Sequence, residues 1–257
     1  MLRAYISSIS SRDSVFPGHD LMSVYAFHME DFWLKEAVLN NVAWCNAVAA
    51  SHRLSTTQNE SVWLSEHPMP PLYPNIISLK ARALINDYID TISPQLPSGW
   101  GIKDSYGDLE LEGEGFAVAF EAQWYCRLPN QGTAAVIKSD SQVNTIQTIN
   151  ELDQWIATWG EGDGILNSTL LENKAIKLVC VERDGRVVSG LAMNQSGDSI
   201  GISNLFGPFE DIACCIASIV RSYPMKGIVG YGSKAELVAL SKIGFNEIGN
   251  LRVSLRD

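Results

Sequence analysis

From Asp31 to Arg53, DFWLKEAVLNNVAWCNAVAASHR, apolar residues recur at spacings of three and four: Trp33 or Leu34, Ala37, Val38, Val42, Cys45, Val48 and Ala49. That period predicts a helix with one buried stripe. SVWLSE (61–66) reads as a short strand, MPPLYP as a segment that proline keeps out of helix, and NIISL (75–79) as a second strand. KARALINDYIDTIS predicts a helix with Ala81, Leu84, Ile85, Tyr88, Ile89 and Ile92 on one face, stopping at Ser93-Pro94. GWGIKDS follows, and after an acidic stretch comes GFAVAFEAQWYCRL, where Val118, Phe120, Ala122 and Trp124 alternate as in a strand. The polar run 129–145 is the linker candidate, INELDQWIATWG a helix, and EGDG (161–164) a loop. IKLVCVE, RVVSGLAMN and SIGISNLF are β-rich runs joined by RDGR and QSGD, turn sequences so short that the three strands must form an antiparallel meander. PFEDIACCIASIVRSY is a helix with Pro208, Glu210 and Asp211 at its start, MKGIVGY a strand, SKAELVALSKIG a helix with a Gly stop, and FNEIGNLRVSLR a closing strand interrupted at Gly249-Asn250. The first 31 residues are Ser-rich and carry no assignable element.

The order of elements repeats. Strand NIISL, a helix, a proline turn, GWGIKDS, Gly115-Phe116 and a strand run parallel to SIGISNLF, a helix, Pro224, GIVGY, a helix, Gly244-Phe245 and the last strand. The Gly-Ile pairs at 101 and 227 are 126 residues apart (227 − 101), and the Gly-Phe pairs ending at 116 and 245 are 129 apart (245 − 116). The N-terminal copy is therefore short by about one helical turn. Two copies of one fold is the economical reading, with residues 1–130 as a degenerate first domain and 131–257 as the second.

Composition narrows the classes. With 46% hydrophobic and 19% charged residues the chain reads as globular rather than disordered. No apolar run approaches the roughly 20 residues that span a bilayer, and MLRAYISSISSRDSVF has no signal-peptide pattern, so the expected location is cytoplasmic. The net charge of −10 argues against nucleic acid and anionic membrane as partners and suits an amine-bearing small molecule. A homodimer stays open as an assembly. The five cysteines sit in apolar segments without a C-x-x-C pair, which reads as buried free thiols, and the scattered histidines signal no metal.

The half from Thr133 to Asp257 resembles the GCN5-related N-acetyltransferase family in its sequence of helix, three-stranded meander, helix, strand, helix, Gly-Phe and final strand. GSKAELVALSKIGFNEIG is similar to that family's closing helix and the start of its last core strand. The resemblance implies a mixed α/β sheet of the acyl-CoA N-acyltransferase type, duplicated. It also implies acetyl-CoA as cosubstrate, lodged where two neighbouring parallel strands separate, with its pyrophosphate at a helix N-terminus. Carried onto this chain, Ser203, Asn204, Leu205, Phe206 and Gly207, with Ser233, become the cofactor-binding candidates. Tyr231, at the end of GIVGY, becomes the candidate donor to a leaving thiolate and Glu182 the candidate general base.

The sequence also departs from the family. The Arg/Gln-x-x-Gly-x-Gly/Ala pattern is missing: one glycine remains, Pro208 lacks an N–H, and Glu210 and Asp211 repel a pyrophosphate. Ser233 stands where the family often has Asn, and Leu240 where it often has the acidic Tyr. Plainer readings compete throughout. Tyr231 also fits as packing at a strand end, Asn204 as a bulge residue, Glu182 as an exposed edge carboxylate, and the acidic run after Asp104 and Tyr106 as a solvated loop. Glu121 and Trp124 fall on opposite faces of their strand, so one of them faces a cleft between the halves. The leading function is transfer of an acetyl group from acetyl-CoA to a small amine. The alternatives are a non-catalytic ligand sensor and an interaction module.

Overall fold

The structure is a computed structural model that describes residues 21–131, 142–162 and 164–256. Most of the linker expected over 129–145, and Asp163 of the EGDG loop, lie outside those residues. The strands, in chain order, are β1 (Thr57–Gln58), β2 (Val62–Leu64), β3 (Ile76–Ser78), β4 (Gly101–Asp104), β5 (Phe116–Arg127) and β6 (Val143–Thr145), followed by β7 (Ile176–Arg183), β8 (Arg186–Ser196), β9 (Ser199–Phe206), β10 (Gly227–Gly232) and β11 (Asn246–Arg256). The helices are α1 (Leu21–Ser51), α2 (Asn86–Ile92), α3 (Ile149–Trp159), α4 (Phe209–Ser222) and α5 (Lys234–Ser241). Among the described residues no helix is long and apolar enough to cross a membrane.

All the strands join one mixed α/β sheet in the order β1-β2-β3-β4-β11-β5-β10-β9-β8-β7-β6. Outward from the antiparallel β11–β5 pair, both sides run antiparallel, parallel, antiparallel, antiparallel, and the β10 side adds one more antiparallel strand, β6. The centre is interleaved. β11 follows β10 in the chain, but β5 stands between them, and β11 in turn separates β5 from β4. Arg252 on β11 reaches across to Asp104 on β4 (2.9 Å), which ties the late strand into the early half.

Local chemistry explains the elements. The β7–β8 turn places Asp184 and Gly185 at φ 51° and 69°, the left-handed pair that a two-residue hairpin requires. Thr148 with Glu151, and Ser233 with Glu236, form capping boxes that start α3 and α5. The helix expected from Lys80 begins only at Asn86. Arg82 takes φ 51° and its N–H donates to the Asp108 carboxylate (2.9 Å), so the chain bends there and Leu84 is left 89% exposed instead of lining a buried face.

Both faces of the sheet are covered. Along β7, Val179 and Val181 pack with Ile212, Cys215, Ile216 and Ile219 of α4, whereas Leu178 and Cys180 pack on the other side with Trp44 and Val48 of α1 and Leu152 and Trp155 of α3. From Trp33 onward α1 lies close on β9 and β10. A Cβ on Gly227 would come within 2.2 Å of the Trp33 ring, and one on Gly201 within 1.9 Å of the Asn40 side chain, so only glycine permits this approach. Asn40 Nδ2 donates to Ser199 Oγ (3.0 Å) and Asn194 Nδ2 donates to the Asn40 carbonyl (3.0 Å), fixing the helix's register on the sheet. A separate core joins Ile85, just before α2, and Ile89 and Ile92 of α2 to Val62, Ile76, Trp100 and Ile102. All five cysteines are buried and free.

Candidate functional site

β9 and β10 are parallel neighbours, yet only Ser199, Ile200 and Gly201 pair, with Gly227, Ile228 and Val229. Beyond that point β9 leaves. Its pairing with β8 jumps from Ser203↔Ala192 to Phe206↔Gly190, so β9 carries an extra residue there, and Asn204 sits at φ 54°. Such a bulge bends its strand and re-aims the backbone. The result is a wedge between Ser203–Phe206 and Tyr231–Gly232 that opens into a cleft of about 430 Å³.

Three groups of side chains give the cleft its chemistry. Tyr231, from β10, packs edge-on against Trp124 (ring centroids 5.3 Å apart), and its hydroxyl accepts a hydrogen bond from Lys103 Nζ (3.1 Å). Lys103, from β4 and only 3% exposed, also donates to Asn41 Oδ1 (2.8 Å) and stands 4.2 Å from the centre of the Tyr231 ring. Because the phenol oxygen takes its bond from an ammonium, its own proton is left available to donate. Opposite, the Tyr73 hydroxyl receives Trp44 Nε1–H (3.0 Å) and is bonded to the Asn204 side chain; burial pushes its pKa well up, so it stays a neutral phenol. Cys45 lines the floor, with its pKa raised by burial despite the nearby Lys103 charge. At the rim are the carboxylates Glu121, Glu161 and Glu236.

The start of α4 has a different character. Pro208 is the N-cap and bonds no N–H by its side chain, while Glu210 and Asp211 fill the first turn. The buried Asp211 carboxylate is bound by Arg183 (2.6 Å), so the helix's positive end already faces the chain's own anion. Phe206 packs edge-on against Trp155 (4.8 Å), and a Cβ on Gly207 would sit 2.5 Å from the Val188 carbonyl. The loop is thus pressed onto β8. These residues do not fit a pyrophosphate seat.

The structure brings together much of what the sequence nominated. Ser203, Asn204, Leu205, Tyr231 and Ser233 all line the cleft, and Ser203 Oγ is buried without a hydrogen-bond partner among the described residues. Ser233 Oγ is committed to capping α5, accepting the Glu236 N–H. Phe206 and Gly207 lie outside the cleft lining, and so does Glu182, which pairs with Val187 and accepts a weak bond from Cys180 Sγ (3.7 Å). Of the two residues read on opposite faces of β5, Glu121 lines the cleft and Trp124 supports Tyr231 from behind. Lys103, Asn41, Trp44, Cys45 and Tyr73 are site residues that the sequence reading missed. One signal for Lys103 was present: a lone cation inside the apolar, strand-forming run GWGIKDS. Among the described residues no group of three His, Cys, Asp or Glu could hold a metal ion.

Comparison with solved structures bears on the fold. A GCN5-related N-acetyltransferase from Kribbella flavida superposes with a TM-score of 0.61 over 86% of this chain and 95% of its own, at 10% identity. A functionally unknown conserved protein from Staphylococcus epidermidis superposes with a TM-score of 0.57 over 79% of this chain and 94% of its own, at 11% identity. Both alignments must cross residue 130. No sequence-family profile matches the chain. No curated protein sequence matches it either. The superposition defines the class: the chain has the fold of the GCN5-related N-acetyltransferases.

Proposed function

We propose that the chain is an acyltransferase that moves an acetyl or related acyl group from a coenzyme A thioester to a small amine. The observation that carries this is the wedge between β9 and β10, with the Tyr231 hydroxyl at its mouth. Unpaired backbone on both walls of the wedge suits the amide-bearing pantetheine arm, and the thioester supplies the activated carbonyl. Tyr231 then gives its proton to the departing thiolate, while the Lys103 ammonium, 3.1 Å away, steadies the phenolate left behind. Glu121 and Glu161 at the rim attract the protonated amine and take up the proton it sheds. Leu240, at the position where the sequence comparison sought an acid, is buried in the core, so Tyr231 from the neighbouring strand carries that role.

The reading of the chain as two copies belongs to the same proposal. The palindromic pairing pattern about β11–β5 supports it, with β3–β4 as the counterpart of β9–β10.

Titration calorimetry with acetyl-CoA, followed by thiol release with a panel of amines, tests the function. Binding with turnover of at least one amine is the expected result. Absence of binding at millimolar acetyl-CoA would overturn it. One observation favours a second reading, a ligand-binding protein without turnover: the acidic, proline-capped start of α4 offers the pyrophosphate nothing. Binding of acetyl-CoA with silence toward every amine would select that reading.

A further inference from the structure

Lys103 is an unusual occupant of the cleft wall. It is 3% exposed, yet both of its hydrogen-bond acceptors, Asn41 Oδ1 and the Tyr231 hydroxyl, are neutral. Among the described residues the ion pairs are Arg183–Asp211, Lys226–Asp198 and Arg252–Asp104, and none involves Lys103. None of the three carboxylates of the cleft forms an ion pair with it. A buried ammonium without a counter-charge is expensive to keep, and natural sites relieve that cost with a paired anion. An ammonium has three donors, and two are spoken for. The third is free for the cleft that Lys103 lines.

We infer that Lys103 is the binding site for a carboxylate of the acceptor, so that the amine substrate is an amino acid or another small amino-carboxylate. This rests on the reading of the cleft as the acceptor site. The charge pattern selects a carboxylate over a phosphate, because one ammonium matches one negative charge and Glu121, Glu161 and Glu236 would repel a dianion. The same rim suits the other end of a zwitterion: the carboxylate goes inward to Lys103 and the ammonium faces the rim carboxylates. Once the ammonium has lost one proton to them, its nitrogen forms the bond to the thioester carbonyl carbon, the C–S bond breaks, the sulfur takes the Tyr231 proton, and the second proton shed by the acylated nitrogen restores the Tyr231 hydroxyl. Lys103 thereby has two tasks, holding the substrate's carboxylate and orienting the Tyr231 hydroxyl.

The test is calorimetry with matched pairs, a panel of α-amino acids against the corresponding α-amino amides, first without acyl donor and then as a KM comparison with acetyl-CoA. An amino acid should bind about tenfold or more tighter than its amide, a preference of about 1.4 kcal/mol. Lys103→Met should erase that ratio, and Lys103→Arg should retain part of it. Lys103→Gln, which keeps a hydrogen-bond donor, replaces the Met variant if the latter fails to fold. Equal binding of acid and amide, no binding of either, or a preference that survives in the Met or Gln variant would overturn the inference. Its failure is separable from that of the acyltransferase reading: an amino-acid preference without any thiol release leaves the carboxylate site standing and removes the catalysis, whereas turnover of amines with no acid preference does the reverse.

Discussion

β3–β4 and β9–β10 are the sheet's two parallel pairs, placed at matching distances from the central β11–β5 pair, and they behave oppositely. After β9–β10 the strands separate around a cleft. After β3–β4 they are stitched: the Ser105 N–H donates to Ser78 Oγ (2.8 Å), and the fully buried Asp104 accepts from the N–H groups of Gly107 (2.9 Å) and Leu109 (3.0 Å) and from Arg252. Where the C-terminal pair has a bulge at Asn204 and a phenol at the strand end, the N-terminal pair has a carboxylate that gathers donors from the following loop. The order of elements therefore does not determine whether a parallel pair opens. Side chains at the strand ends do.

The largest effect should come from cutting that stitch. Asp104→Ala leaves Arg252 and the N–H groups of residues 107 and 109 without their acceptor, and removing one partner of a buried pair costs about 3–5 kcal/mol. Urea denaturation should show a loss of that size, and a change within about 0.5 kcal/mol, the range of an ordinary surface substitution, would mean Asp104 does not hold the end of β4 to its following loop and to β11. Next comes Tyr231→Phe. Loss of a general acid costs about 100-fold or more in kcat, while loss of one hydrogen bond costs about 1 kcal/mol of stability. Thiol-release rates beside thermal melts check both numbers, and an unaffected kcat would remove Tyr231 from the chemistry.

A smaller effect addresses the bulge. Asn204→Gly tolerates φ 54°, whereas Asn204→Val is strained there by about 1–3 kcal/mol. Calorimetry with acetyl-CoA should find the Gly variant near wild type and the Val variant weakened, because a strand that straightens closes the wedge. The smallest effect asks whether the opening is local or a general looseness of that half. Burial pushes the thiols of Cys180 and Cys215 up to about 12 from an ordinary value of 9.0. In the folded state each keeps its proton where the unfolded chain has lost it, so stability falls as pH rises from about 9 to about 12 and is unaffected by them below 9. A thiol reagent at pH 8 should leave both unlabelled until denaturant is added; rapid native labelling would mean the wedge belongs to a loosely packed half.

How much of this was legible in the sequence divides along local and non-local lines. The meander was legible because RDGR and QSGD force hairpins, and α4, β10, α5 and the Gly244-Phe245 corner each announced themselves by period and by stop signals. The wedge-wall residues Ser203, Asn204, Leu205 and Tyr231 were reached through the resemblance to the acetyltransferase family that this order of elements carries. The interleaving of β5 and β11 was not legible, because strand pairing across the sheet leaves no mark in either strand's own alternation. Lys103, Asn41 and Tyr73 were missed for a related reason: they come from segments far from residue 231 in sequence and meet it only in the folded chain. The α2 boundary was misjudged because a left-handed Arg82, held by Asp108, overrides an otherwise helical pattern.

The interleaved centre also governs how the molecule can come into being. β11 is made after every other described strand, yet it fills the slot between β4 and β5, so the early half stays an unclosed sheet until the ribosome has delivered residues 246–256. Contacts that span so much sequence make closure slow, and the exposed edges of β4 and β5 are open to wrong partners in the meantime. A chain severed near residue 130 would thus yield not two smaller proteins but two incomplete ones, each lacking the strand the other holds.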